Sequence, residues 1–116
     1  MAKKRLKPLL PSLREKKRYL AFEAISDEML ESGDVAGAIH QSCLRLMGEL
    51  GMANAGIIFL DDKFQDNKGI IRVNNRYVNH LKASLMLINN IRDNEAVLRS
   101  TGVSGILKKA EDRYLA

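Results

Sequence analysis

The stretch "AGIIFLDDKFQDNKGIIRVNN", residues 55–75, decides the fold. Two mostly apolar runs, "AGIIFLDD" (55–62) and "KGIIRVNN" (68–75), flank the polar segment "KFQDN". Short apolar runs bounded by polar turn residues predict strands, and so short a spacer suits a hairpin-type connection. Asp61 and Asp62 are adjacent, so in a strand they point to opposite faces. That speaks against a shared two-metal site and for a solvated strand end.

On both sides of this hairpin the pattern changes to a helical period. Upstream, Val35, Ile39, Cys43, Leu46, Met47 and Leu50 form one stripe, with His40, Arg45 and Glu49 off it. Asp34 is the expected N-cap and Gly51 the expected stop. His40 and Cys43 stand three apart, but two donors do not make a metal site; packing accounts for Cys43 and solvent for His40. Downstream, "RYVNHLKASLMLINNI" (76–91) places Val78, Leu81, Leu85, Ile88 and Ile91 on one buried stripe.

Beyond each helix lies another strand. In "RYLAFEAIS" (18–26) Leu20, Phe22 and Ala24 alternate with Tyr19, Ala21, Glu23 and Ile25. "DEMLESGD" connects it to the first helix. A fourth strand is expected around Glu95–Thr101, and "SGILKKAEDRYLA" suits a short closing helix capped by Ser104. Residues 1–17 should be extended, because Pro8 and Pro11 oppose helix. The predicted order is β-α-β-β-α-β, an α+β, ferredoxin-like or RNA-recognition-motif-like sandwich with two helices on one face of four strands. It divides into a basic arm (1–17) and a single domain (18–116). Many functions share this topology, so the fold alone assigns none.

Composition narrows the class. A chain of 116 residues suits one compact domain, and without Trp its core falls to Leu, Ile, Val and Met. The single cysteine excludes an intramolecular disulfide, and no Cys/His cluster has zinc-ligand spacing. No apolar run approaches the roughly 20 residues of a membrane span. "LKPLLPSL" is too short and too proline-broken for a signal-peptide core. A soluble, cytoplasmic protein without membrane contact is the expectation.

Location makes the charge informative. Residues 1–18 hold Lys3, Lys4, Arg5, Lys7, Arg14, Lys16, Lys17 and Arg18 against Glu15 alone, a balance of +7, while the remainder carries −2. A concentrated cationic arm is the footprint of a polyanion binder, although a solubilising tail has the same composition. Arg72 ends the third strand and Arg76 begins the second helix, whose free N–H groups suit a phosphate; His80 and Lys82 extend that end. A solvated helix end is the competing interpretation.

No phosphate-binding Gly-rich loop, Ser-His-Asp set or paired carboxylates appear, so no catalytic residue and no protein-bound metal is expected. Acylphosphatase-type enzymes of this topology need a phosphate loop after the first strand, where "SDEMLESGD" is acidic. RNA recognition motifs stack bases on aromatics of the third strand. Here Ile70, Ile71 and Val73 stand in those places. RNA binding would then rest on backbone electrostatics and shape, leaving the apolar sheet face for a protein partner or the C-terminal helix.

The segment "LPSLREKKRYLAFE", through Leu10, Pro11, Leu13, Arg14, Glu15, Lys16, Lys17, Arg18 and Tyr19, resembles the N-terminal signature of archaeal ribonuclease P protein component 2. That family is related to a small subunit shared by eukaryotic ribonucleases P and MRP. "GIIRVNNRYVNHLKASLMLI" is similar to its strand–helix junction, with Arg72 and Arg76 in place. The resemblance implies a non-catalytic subunit of an RNA-based endoribonuclease. In that family the RNA, with RNA-bound Mg²⁺, removes the 5′ leader of precursor tRNA, and the protein carries no cofactor. Implied partners are ribonuclease P RNA and protein component 3, with precursor tRNA contacted indirectly. The residues expected to meet RNA are Lys3, Lys4, Arg5, Lys7, Arg14, Lys16, Lys17, Arg18, Arg72 and Arg76. Another ribonucleoprotein role, ribosome-associated or RNA-chaperoning, fits the same charge footprint. A metabolite-binding regulatory domain would leave the arm without a role.

Overall fold

The structure, a computed structural model, describes residues 16–115. Its main elements are β1 (Lys17–Ile25), α1 (Ser32–Ala55), β2 (Ile58–Phe59), β3 (Lys68–Asn74) and α2 (Val78–Met86). A small hairpin of β4 (Asn90–Ile91) and β5 (Asn94–Glu95) follows, then β6 (Val97–Ser104) and α3 (Leu107–Ala110). The four-stranded sheet has the order β2-β3-β1-β6, and every pairing in it is antiparallel. Each β-α-β half therefore has a strand of the other half between its own two, which is the ferredoxin-like arrangement.

The alternation of β1 sorts its side chains into two cores. Leu20, Phe22 and Ala24 face Val35, Ile39 and Cys43 of α1 and Leu81 and Leu85 of α2. Phe22, Phe59 and Phe64 form a ring cluster with centroids 6.0–6.3 Å apart. Fully burying one such side chain contributes about 1.5–3 kcal/mol, so this layer holds most of the stabilising contacts. The helices cross at small residues, where Ser42 Oγ donates to the carbonyl of Ser84 at 2.6 Å. Cys43 is buried there, and burial raises its thiol pKa against a smaller lowering from Ser84. Stability contributed by that protonated thiol is fully present below the unfolded thiol pKa and declines as pH rises above it.

On the opposite sheet face, Ala21 and Ile70 are covered by the C-terminal segment through Leu107, Ala110, Tyr114 and Leu115. The Tyr114 ring lies so close over β6 that a Cβ added at Gly102 would overlap it. Lys63, just after β2, holds Glu111 at 2.6 Å, and this pairing raises the Lys63 pKa. Of the two occupants foreseen for this face, the C-terminal helix is present. Tyr19 and Phe22 pack into the two cores.

Several local expectations are corrected. Helix α1 passes through Gly51 and ends at Gly56, whose φ of 60° is the left-handed terminator. Gly48 (φ 72°, ψ 176°) breaks its regularity instead. Leu46 and Leu50, assigned to the buried stripe, are 45% and 78% exposed. The Gly48 break shifts the phase of the helix, so that beyond it Met52 and Ala55 pack against the core while Leu50 does not. Asp34 lies inside the first turn and pairs with Arg92 at 3.1 Å, while Glu31 occupies the cap position. The strand foreseen at 55–62 shrinks to β2, because α1 consumes its beginning and Asp61–Lys63 wind into a 3₁₀ turn.

Residues 87–91 leave the helical stripe for the β4–β5 hairpin, whose turn residues Arg92 and Asp93 both have positive φ. The last strand consequently lies later than expected. Ser104 ends β6 and caps no helix; its Oγ accepts from the Ile106 N–H at 3.1 Å.

The β2–β3 connection is closed by Asp66 and Asn67, at φ 54° and 61°, a pair that matches the right-handed strand twist. Asn67 is buried. Its Oδ1 accepts from the Leu30 N–H at 2.8 Å and its Nδ2 donates to the Glu28 carbonyl at 2.9 Å. One turn residue thereby fastens the β1–α1 connection.

Candidate nucleic-acid interface

The cationic cluster is partly built into the sheet. Lys17 and Arg18 are the first residues of β1, and Lys16 precedes them. In register, Lys17 opposes Asn74, Arg18 opposes Val73 and Tyr19 opposes Arg72. Side chains alternate along a strand, so Lys17, Tyr19 and Arg72 share the face that carries α3, whereas Arg18 leaves from the other face. Arg76, exposed in a 3₁₀ turn over Asn75–Tyr77, stands one residue beyond Asn75. The sheet thus brings Lys16, Lys17, Arg18, Arg72 and Arg76 to one end. Lys3, Lys4, Arg5, Lys7 and Arg14 lie outside the described residues.

Two asparagines that the sequence analysis passed over hold this end together. Lys17 Nζ donates to Asn74 Oδ1, Arg18 Nε donates to Asn75 Oδ1 at 3.1 Å, and the Asn75 N–H donates to the Lys16 carbonyl at 2.7 Å. Asn74 is buried, and its Nδ2 donates to the Asn54 carbonyl near the end of α1 at 2.7 Å. Neutral amides orient a cation without cancelling its charge, whereas carboxylates in the same places would neutralise it. Among the described residues none of these five cations forms a salt bridge; the acids that are paired meet Lys63, Arg92 and Arg99 elsewhere. The only available signal was "NN" beside the cationic strand end, unreadable until the β1–β3 register is known.

Arg18 spans the end of the sheet. Its Nε is held on the β3 side, and its Nη1 lies over Gly105 on the β6 side, where an added Cβ would come within 2.8 Å. Arg72 is half-buried between Tyr19 on β1 and Ile58 on β2, and its Nε has no hydrogen-bond partner among the described residues. The free start expected for the second helix is modified, since the Val78 N–H is bonded to the Asn75 carbonyl. His80 packs against Tyr77, ring centroids 5.1 Å apart and planes tilted by 47°, instead of extending from Arg76. No group of three or more His, Cys, Asp or Glu among the described residues is placed to hold a metal ion. No helix among them is long and apolar enough to cross a membrane.

An Asn75→Asp substitution tests the charge argument. It is expected to pair with Arg18, leave thermal stability unchanged or slightly raised, and make log affinity for RNA less salt-dependent by about 0.7–0.9, the contribution of one phosphate contact. Salt-titrated binding measures it, and an unchanged slope would count against Arg18 as a phosphate contact.

Fold and surface together define a class: a ferredoxin-like α+β domain whose sheet ends in a cationic corner that no acid among the described residues pairs with. Residues 18–115 match the Rpp14/Pop5 family, and the chain belongs to it. It is 38% identical over 112 residues to ribonuclease P protein component 2 of Pyrococcus abyssi, covering 97% of this chain and 95% of that protein. Identity to the protein of the same name from Pyrococcus furiosus is 40% over 114 residues, covering 97% and 93%. For that of Methanosarcina mazei it is 39% over 110 residues, covering 95% and 93%. A chain in the cryo-EM structure of yeast ribonuclease MRP shares the fold with a TM-score of 0.64 at 14% identity, covering 79% of this chain and 76% of that one.

Proposed function

We propose that this chain is a non-catalytic protein subunit of ribonuclease P that binds and stabilises the catalytic domain of the RNA subunit. The observation that carries this is the cationic corner at the sheet end, positioned by Asn74 and Asn75 and free of acidic partners among the described residues. Opposed to RNA phosphates, these groups lower the repulsion between strands and release condensed counterions. Cleavage of precursor tRNA on this reading belongs to the RNA and its Mg²⁺, with the protein contributing charge and shape from the cytoplasm.

The partner protein, component 3, needs apolar surface. The central sheet face is occupied by α3, so that surface lies on the helical layer, where Leu46 and Leu87 line one groove and are 45% and 62% exposed. Gln41, Arg45 and Asn89 line the same groove, so a partner there would meet two leucines within a polar rim.

Affinity capture of the tagged full-length protein tests the assignment. Ribonuclease P RNA and component 3 are the expected co-purifying species, and their loss as added salt rises identifies the electrostatic part. Recovery of ribosomal RNA in their place would overturn the assignment in favour of a different ribonucleoprotein role.

A further inference from the structure

We infer that the C-terminal segment forms a second bank of the RNA-binding surface, with Lys108 and Lys109 meeting the same phosphate backbone as Lys17 and Arg18. This rests on the RNA-binding role proposed above and extends it to residues which that role did not include.

The argument starts from how α3 is oriented. Leu107 and Ala110 face the sheet, packed in the cluster that contains Tyr19, Ala21 and Ile70. Lys108 and Lys109, between them, are consequently turned to solvent, and both are exposed. Leu107 shares its cluster with Tyr19, so α3 starts beside the same strand end that carries Lys17. On the β6 side the register pairs Tyr19 with Ser104, which sets Gly105 next to Arg18. The absence of a side chain at Gly105 lets the Arg18 guanidinium lie across that backbone. Lys108 and Lys109 follow Gly105 by three and four residues, a chain distance of at most about 11–14 Å.

Charge on α3 and the segment after it is also sorted. Glu111 is taken by Lys63 at 2.6 Å, at the β2–β3 connection. Asp112 is exposed and forms no salt bridge with either lysine. Neither lysine is paired with an acid among the described residues, and both stand on the helix that covers the sheet face shared by Lys17, starting two residues after the Gly105 backbone that Arg18 overlies. The partner this fits is a polyanion long enough to touch both banks. In this protein that is the sugar-phosphate backbone of RNA, met by lysines as flexible point charges and not through base recognition.

The experiment is salt-titrated binding of the full-length chain to ribonuclease P RNA, comparing wild type, Lys108→Ala/Lys109→Ala and Lys108→Arg/Lys109→Arg. Losing two phosphate contacts should flatten the slope of log affinity against log salt by about 1.4–1.8. The arginine pair should keep the wild-type slope, and circular dichroism should show both variants folded. An alanine pair with the wild-type slope overturns the inference, as does one that weakens binding equally at every salt concentration. A Lys17→Ala/Arg18→Ala variant separates the two levels. If its slope falls and that of the C-terminal pair does not, only the second bank is lost. If neither falls, the proposed RNA-binding surface itself fails.

Discussion

Full-length protein in which Arg14, Lys17 and Arg18 are all alanine is expected to bind ribonuclease P RNA with a salt slope shallower by about 2.1–2.7, three contacts at roughly 0.7–0.9 each. Over a tenfold rise in salt the wild type would then lose about 100–500-fold more affinity than the variant. Lys17 and Arg18 are set by the first pairs of the β1–β3 register and oriented by Asn74 and Asn75, so their charges are aimed as well as concentrated. The fold should survive, because among the described residues Lys17 and Arg18 give up two side-chain hydrogen bonds at a partly exposed edge, each with a net value of roughly 1 kcal/mol. Enhancement of cleavage by the RNA at moderate Mg²⁺ should fall in parallel. A variant with the wild-type slope and undiminished enhancement would reduce the cluster to solvated charge.

Asn67→Ala should lower stability by about 2–4 kcal/mol, because one buried backbone group loses its partner at roughly 1–3 kcal/mol and a second, part-buried one loses a bond worth roughly 1 kcal/mol. Those groups are the Leu30 N–H and the Glu28 carbonyl. Alanine is also poorly suited to the φ of 61° that Asn67 adopts, where asparagine is tolerated. In a domain of this size the melting temperature should drop on the order of 10–20 °C. Asp66→Gly, at the exposed neighbour with φ 54°, serves as the control and should leave melting unchanged or slightly raised. If Asn67→Ala melts within a degree of the wild type, the turn does not fasten the β1–α1 connection.

The two predictions differ in how legible their residues were. Lys17 and Arg18 stood out by charge density alone. Asn67 sat inside a polar connection and gave no sign that it reaches Glu28 and Leu30, 39 and 37 residues away. The same division runs through the elements. Period-2 and period-3.6 patterns revealed the β-α-β-β-α-β order, because burying one face imposes a period on any strand or helix. Boundaries failed where a local signal had several outcomes: Gly51 continues α1, Gly48 breaks it, and only Gly56 ends it. The β4–β5 hairpin was missed because its turn, Arg92–Asp93, takes left-handed backbone without glycine.

What the sequence by itself determined is the strand and helix order, the membership of most of the core, and the segregation of excess positive charge into the first 18 residues. These depend on side-chain polarity and its local period, which survive in one dimension. Tertiary structure alone decided that Asn74 and Asn75 hold Lys17 and Arg18, that Arg72 meets Tyr19 across the sheet, and that Gly105 brings α3 to the cationic corner. Each of those neighbours is joined through strand pairing between residues more than fifty positions apart. Register is a property of the assembled sheet, because hydrogen bonds between strands, and not the chain between them, fix which residues meet.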